Sequence, residues 1–280
     1  MQKRVRQNVR GWVFGVVLGV GLLALLPSKS RAGVTDDLMD QTKHPVAVTM
    51  ALQADSFFGF NPAVYGTYGL TKDVALAFST TYWTNIGGVG AHDQNPWLEF
   101  DLGLNATFLD KRLSITPMIG TVHGMLLSSR AGSFSKGGSN VNARTTAFDG
   151  WVPSLTANYL DDRFEGEFYM GYYKSGRTDG TVPETPNPGR ADGRTGTWDF
   201  LHYWVNAGYR VNSMFSFGLH YEHLLSTRDN SAAYAQQDYY RWLGPYVEMK
   251  LAGGMAFRFT AGHDYGDNED FYKLKFTKTF

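Results

Sequence analysis

The chain has no cysteine among its 280 residues, which excludes a disulfide framework and thiol chemistry. It has one long apolar run, Gly11 to Leu26. No stretch of about 18 apolar residues follows it, so no transmembrane helix is expected downstream. Positive charge is also scarce once position is considered. Residues 1–32 hold six basic side chains (Lys3, Arg4, Arg6, Arg10, Lys29, Arg31) and no acid; the remainder has 20 basic against 26 acidic side chains, a net of −6. That balance does not suit a polyanion, and no nucleic-acid partner is expected. No GxSxG, HExxH, phosphate-loop or dinucleotide fingerprint falls where a strand and helix could support it. No cofactor and no metal site are expected.

What the sequence does contain begins with a basic segment, the apolar run, and Ser30-Arg31-Ala32, with small residues at the two positions a signal peptidase reads. This predicts a secretory signal peptide over 1–32, cleaved after Ala32. An uncleaved anchor fits less well, because the run is short and ends at Pro27. Residues 33–45 are polar and read as a lead-in. From Val46 the dominant period is two, the mark of strands with two unlike faces. In the clearest case Leu98, Phe100, Leu102, Leu104, Ala106 and Phe108 share one face, and Glu99, Asp101, Gly103, Asn105 and Thr107 the other.

The pattern predicts twelve strands: 46–55, 63–70, 74–84, 97–109, 113–126, 148–160, 164–174, 198–210, 214–224, 239–251, 255–264 and 271–280. Tight turns such as Thr71-Lys72-Asp73, Asp161-Asp162-Arg163 and Val211-Asn212-Ser213 alternate with longer segments, 127–147 and 175–197 being the longest. An even strand number, short turns at one end and longer loops at the other predict an all-β fold. Specifically, residues 46–280 are expected to form a transmembrane antiparallel up-and-down β-barrel. The faces presumed to point outward carry almost no charge, as at Val74/Leu76/Phe78 and Phe215/Phe217/Leu219. Rings gather at strand ends in two expected belts. One holds Tyr82, Trp97, Trp151, Tyr172, Trp198, Tyr239 and Tyr265; the other holds Tyr68, Phe108, Tyr159, Phe164, Tyr209 and Phe280. Twelve strands tilted about 40° give a backbone diameter of roughly 24 Å and a lumen on the order of 10 Å.

The last strand alternates Tyr272, Leu274 and Phe276 with Lys273, Lys275 and Thr277, and the chain stops at Phe280. It resembles the insertion signal of Gram-negative outer-membrane β-barrel proteins. The resemblance covers the chain from residue 33 onward and is to an architecture. It implies an outer-membrane location, contact with lipid and lipopolysaccharide, and insertion by the outer-membrane assembly machinery through Tyr272, Leu274, Phe276 and Phe280. Lys278 departs from the apolar pattern but can snorkel at the rim. The basic loop residues Arg130, Lys136 and Arg144 could meet lipopolysaccharide phosphates, although a solvated loop explains them as well.

The inward face is expected to carry acids at Asp55, Glu99, Asp101, Glu165, Glu167, Glu222, Glu248 and Asp264, and bases at Lys250, Arg258, Lys273 and Lys275. Such charges either orient ions and polar solutes, as in pores, or pair across a narrow lumen and hold it shut. A turn centred on Asn212 would set His202 opposite Glu222 and Trp204 opposite His220, all inward. This set suits a hydrogen-bond network better than a metal. The leading functional expectation is a passive channel for ions or small polar solutes. The alternatives are a non-conducting surface barrel and a lipid-modifying enzyme. The chain is similar in size and strand number to outer-membrane phospholipase A, which uses a Ser–His–Asn set on its lipid-facing wall. Here His123 and His263 lack such a partner, and Leu224 and Leu225 follow His223, so no enzyme is expected. No polar seam on the outward faces sets an oligomeric state.

Deleting Phe280 is expected to lower the yield of assembled barrel in the outer membrane, measured as the heat-modifiable band. Unchanged yield would remove the terminal residue from the insertion signal.

Overall fold

The computed structural model describes residues 46–83, 97–124, 126–129, 134–136, 139–141, 146–176, 196–229 and 238–280. The expected signal segment, the lead-in, and most of the loops at 127–147 and 175–197, with their basic side chains, lie outside the described residues. Twelve strands are wound in chain order: β1 (Val46–Asp55), β2 (Ala63–Gly69), β3 (Val74–Trp83), β4 (Trp97–Phe108), β5 (Leu113–Gly124), β6 (Thr146–Leu160), β7 (Phe164–Ser175), β8 (Gly196–Arg210), β9 (Phe215–Asp229), β10 (Asp238–Leu251), β11 (Met255–Asp264) and β12 (Glu269–Thr279). Each pairs antiparallel with its neighbours, and β1 pairs with β12 from Asp55↔Lys273 to Thr49↔Thr279. The barrel is therefore closed, as lipid requires of any spanning sheet. Small pieces decorate the end with the longer loops. Gly59–Phe60 folds back on β1, Ser128–Ser129 pairs with Gly196–Thr197, and Phe134–Lys136 pairs with Ser139–Val141.

The faces follow the alternation. On β4, Leu98, Phe100, Leu102 and Leu104 are 41–49% exposed, while the interleaved Glu99 and Asp101 are each 4% exposed. Exposed leucines and buried acids invert a water-soluble protein, and lipid outside with polar groups inside makes the inversion favourable. The belt expectation needs correction at three rings. Trp97 shares the parity of Glu99 and is 7% exposed inside the barrel. Trp198 and Tyr239 pack against the interior cluster. The other correction is β9, which runs five residues past its predicted end at 224. A bulge at Asp199/Phe200 lets pairing continue to Trp198↔Asp229, and Arg228 there clasps Asp199 (Nε to Oδ2, 2.6 Å).

Side chains close several short turns. Thr71 Oγ1 accepts the N–H of Val74 (3.1 Å), Asp161 Oδ1 accepts those of Arg163 (2.7 Å) and Phe164 (2.6 Å), and Asn212 Oδ1 accepts those of Met214 and Phe215 (both 2.8 Å). These are the turns that hydroxyl and Asx side chains form locally. Partial burial works to raise the Asp161 pKa, but its backbone donors and the Tyr159 hydroxyl hold it below the ordinary carboxylate value. The Asn212 turn also fixes a register. It draws Met214 into the turn, so Arg210 pairs with Ser216, and His202 pairs with Leu224 instead of Glu222. Trp204 accordingly faces Glu222 and Asn206 faces His220. The shift is two residues, so every side chain keeps its face.

One row of residues across four strands shows how the wall makes room for its polar groups. Tyr246 on β10 pairs with Gly218, Gly218 with Gly208, and Gly208 with Glu165 on β7. With no side chains at 218 and 208, the Tyr246 ring lies along the wall and its hydroxyl donates to Glu165 (2.8 Å). A Cβ at Gly208 would sit 2.1 Å from that hydroxyl. Gly208→Val is expected to displace Tyr246 and cost about 1–3 kcal/mol, read as a lower urea midpoint of the refolded barrel. An unchanged midpoint would show that the niche contributes nothing.

Candidate functional site in the barrel lumen

The bases of β10–β12 form an ionic lattice with acids on β7, β9 and β10. Arg258 Nε donates to Glu248 (2.7 Å) and Nη1 to Glu167 (2.9 Å), while its guanidinium lies 4.7 Å from the Tyr246 ring centroid. Lys250 Nζ reaches Glu165 (3.2 Å) and Glu248 (3.5 Å). Lys273 Nζ bonds Glu222 and lies near the rings of Trp204 and Trp242. Glu167 and Arg258 stand four strands apart, so these contacts span a chord of the lumen. The basic and acidic residues of this side therefore pair, as a narrow lumen demands of desolvated charge.

Despite the register shift, the histidines meet Glu222. His202 Nε2 is 2.8 Å from Oε1 and His220 Nε2 is 2.9 Å from Oε2. The Tyr240 hydroxyl donates to Oε1 (2.8 Å), and His220 Nδ1 meets Asn206 Oδ1 (2.7 Å). Each ring nitrogen that points at Glu222 is engaged with the carboxylate, which is a hydrogen-bond network. Among the described residues no cluster of three or more acids and histidines is arranged to hold a metal. On the outward face His223 Nδ1 meets the Tyr203 hydroxyl (2.9 Å) and His123 Nε2 meets Thr121 Oγ1 (2.9 Å).

The remaining inward charges differ from one another. Asp55 and Asp264 are buried caps. Asp55 accepts the N–H of Phe57 (3.0 Å) and Phe58 (2.5 Å), and Asp264 those of Arg241 (2.9 Å) and Gly266 (2.7 Å). Among the described residues Glu99 accepts Trp83 Nε1 (3.1 Å) and the Tyr173 hydroxyl (3.0 Å) and no other donor. Asp101 accepts Ser79 Oγ (2.6 Å) through Oδ2, and its buried Oδ1 has no partner. Among the described residues neither acid forms an ion pair. Lys275 likewise meets no carboxylate at ion-pair distance and lies 5.8 Å from the Tyr65 ring centroid.

A feature absent from the sequence reading closes one end. The short segment after β1 turns inward and places Phe58 between opposite walls. Its ring centroid is 4.6 Å from Trp83 and 5.9 Å from Trp97 on one side, and 6.2 Å from Tyr240 on the other. Trp97 on β4 and Tyr240 on β10 are six strands apart in a circle of twelve, so one ring bridges the lumen. Tyr240, Trp242 and Phe271 stack behind it (4.1 and 4.7 Å), and Phe57 packs on Tyr240 (4.9 Å). The signals for this plug were the parity of Trp97 with Glu99 and the Asp55 cap two and three residues before the paired phenylalanines. Beyond the plug a cavity of about 560 Å³ runs from Phe58, Trp83 and Tyr173 toward Ala47, Asn158 and Thr277 at the short-turn end. It is lined by Asp55, Glu99, Asp101, Glu167, Glu222, Glu248, Arg258, Lys273 and Lys275, together with His202 and His220. Glu165, Lys250 and Asp264 lie outside its lining.

A family model described as "Family of unknown function (DUF6733)" matches residues 22–280. No curated protein matches the chain. Among solved structures, the COG4313 outer membrane channel from Pseudomonas putida F1 is similar at TM-score 0.53 and 11% identity, over 84% of this chain and 95% of that one. The NanC porin gives 0.46 and 8% (84% and 98% covered), and the KdgM porin 0.45 and 9% (84% and 99%). The likeness to the Pseudomonas channel is one of fold: both chains form a closed antiparallel β-barrel.

Arg258→Met is expected to destabilise the refolded barrel by about 3 kcal/mol, because it removes the ion-pair partner of Glu167 and leaves Glu248 with Lys250 alone at 3.5 Å. Adding Glu167→Gln and Glu248→Gln should recover part of the loss. A neutral single variant, judged by urea midpoint, would show that the lattice adds no stability.

Proposed function

This chain belongs to DUF6733, a family of unknown function, and we propose that it is a passive outer-membrane channel for small polar solutes or ions, closed in this conformation by Phe58. The observation that carries the reading is the cavity of about 560 Å³, lined by charged and apolar side chains alike, that runs along the described lumen up to the aromatic plug around Phe58. A barrel that served only as a scaffold gains nothing from keeping such a volume beside charged groups. Pores use lining charge of this kind to replace hydration and to select. The obstruction is a loop side chain and no part of the barrel wall. It is held by its ring contacts and by the Asp55 cap, so displacing this one ring would break the aromatic bridge between Trp83 and Tyr240. Lipid and lipopolysaccharide around the barrel, and the assembly machinery that inserts it, belong to the same reading.

The bridging ring also favours a second reading, a non-conducting barrel in which the plug is permanent. Single-channel recording in a planar bilayer under a salt gradient separates the two. The refolded chain is expected to show brief openings, and Phe58→Gly steady steps with an open time at least tenfold longer. Glu99→Gln with Asp101→Asn should move the reversal potential away from cations. Silence from folded Phe58→Gly protein would favour the non-conducting barrel. A reversal potential indifferent to the double change would remove the acidic wall from selection.

A further inference from the structure

The lumen charges sort into those the fold uses and those it does not. Glu165, Glu167, Glu222 and Glu248 are held by Arg258, Lys250 and Lys273. Asp55 and Asp264 hold backbone amides. Glu99 and Asp101 remain, adjacent on the inward face of β4 and each 4% exposed. They are served only by neutral donors, with one Asp101 oxygen unserved. A buried polar oxygen with no donor costs free energy that a bound group can return. Lys275 is the converse, an inward ammonium resting near an aromatic ring with no carboxylate at ion-pair distance among the described residues. All three line the same cavity.

The sheet register relates their positions. Asp101 pairs with Ser79, and Ser79 with Tyr65. The Cα atoms of Asp101 and Tyr65 are therefore two strand spacings apart, about 10 Å along the wall. The Lys275 ammonium lies 5.8 Å from the Tyr65 ring centroid. Ser79 lies in the row between Asp101 and Tyr65, and the Thr67 hydroxyl and Asn105 amide also line the cavity, while the Lys275 ammonium, at no ion-pair distance, still acts on Glu167 through its charge. The wall thus offers two carboxylates, then neutral polar groups, then one ammonium.

We propose that the lumen binds a small zwitterion with its ammonium on Glu99 and Asp101 and its carboxylate on Lys275. The solute is of the ω-amino-acid type, with its two charges separated by several bonds. The proposal rests on the channel reading for how such a solute is carried, but not for whether it binds. The cavity reaches the short-turn end, so the site is accessible while Phe58 closes the other. One solute places a donor on the acids and an acceptor on the lysine, and neither ion alone does both.

The test is isothermal titration calorimetry on the chain folded in detergent, with 4-aminobutyrate, butylammonium, butyrate and calcium chloride as separate probes. Binding of 4-aminobutyrate is expected, with butylammonium at least tenfold weaker and butyrate weaker still. Glu99→Gln with Asp101→Asn should weaken both amines at least tenfold. Lys275→Met should bring 4-aminobutyrate down to the level of butylammonium and leave butylammonium unchanged. If the acid double variant does not fold, the lysine variant carries the test alone. No heat with 4-aminobutyrate, or equal affinity in wild type and Lys275→Met, overturns the proposal. Calcium binding lost in the double variant, with no preference for the zwitterion, would make this an inorganic cation site and also overturn it. A silent bilayer with this binding intact would overturn the channel reading and leave the site standing; conduction without binding would do the reverse.

Discussion

Everything in this molecule depends on the outer surface meeting hydrocarbon. Lipid accepts no hydrogen bond, so the sheet must close through β1 and β12 and every charge of the spanning region must turn inward. A twelve-stranded ring is too narrow to hydrate that many ions freely. Its acids and bases consequently reach across one another, and Arg258 spans from β11 to Glu167 on β7. The lattice follows from confinement and is not by itself a sign of function, since a barrel with any inward charge must neutralise it.

The interior nevertheless divides into parts with different obligations. From β7 to β12 the four glutamates are paired with Arg258, Lys250 and Lys273 and further tied by Tyr246, Trp204 and Asn206, which leaves a stiff wall with Lys275 standing apart from its pairs. From β2 to β4 the carboxylates are left with neutral donors, and the rest of the lining mixes hydroxyls and an amide with Ala63, Ala77, Phe78 and Trp83. At the loop end stacked rings and aliphatic side chains fill the described lumen. Stability therefore concentrates on one wall and at one end, while the other wall stays open to a solute. This asymmetry is what a neutralisation rule alone does not produce.

The fold was legible because its signal is redundant. Twelve alternating segments all had to agree, and a two-residue slip at Asn212 changed partners without changing faces. Faces are a property of parity, and parity survives such slips. Pairings depend on turn geometry, and a turn is decided by one side chain such as Asn212 accepting two amides. The meeting of His202, His220 and Glu222 therefore has two causes: His202 reaches diagonally across a register that differs by two, and His220 reaches Glu222 along the same strand, independent of register. The plug was illegible for another reason. Phe57 and Phe58 sit in a segment with no period, and its only signals, Asp55 just before the paired rings and the parity of Trp97, lie outside the alternation that fixes faces. Trp97 was legible and misplaced, because the belt was read from ring position along the strand when the parity shared with Glu99 already set it inside.

The energetics of the plug constrain how a channel of this build could open. Burying the Phe58 ring contributes about 2–3 kcal/mol. At a factor of ten per 1.4 kcal/mol, a swing of that ring alone is populated on the order of one time in thirty to one in a hundred and fifty. Withdrawing the whole segment also breaks the amide bonds to Asp55. Hydrogen bonds to a charged acceptor contribute about 1.5–3 kcal/mol each, so losing two makes withdrawal at least a hundredfold rarer still. The thermally accessible opening is therefore a rotation of one ring between Trp83 and Tyr240, with Asp55 keeping the loop in place. Such a gap admits only solutes narrow enough to pass beside stacked rings. In a channel of this build, selection for size would fall at the aromatic end and selection for charge at the acidic wall, in two places along one path.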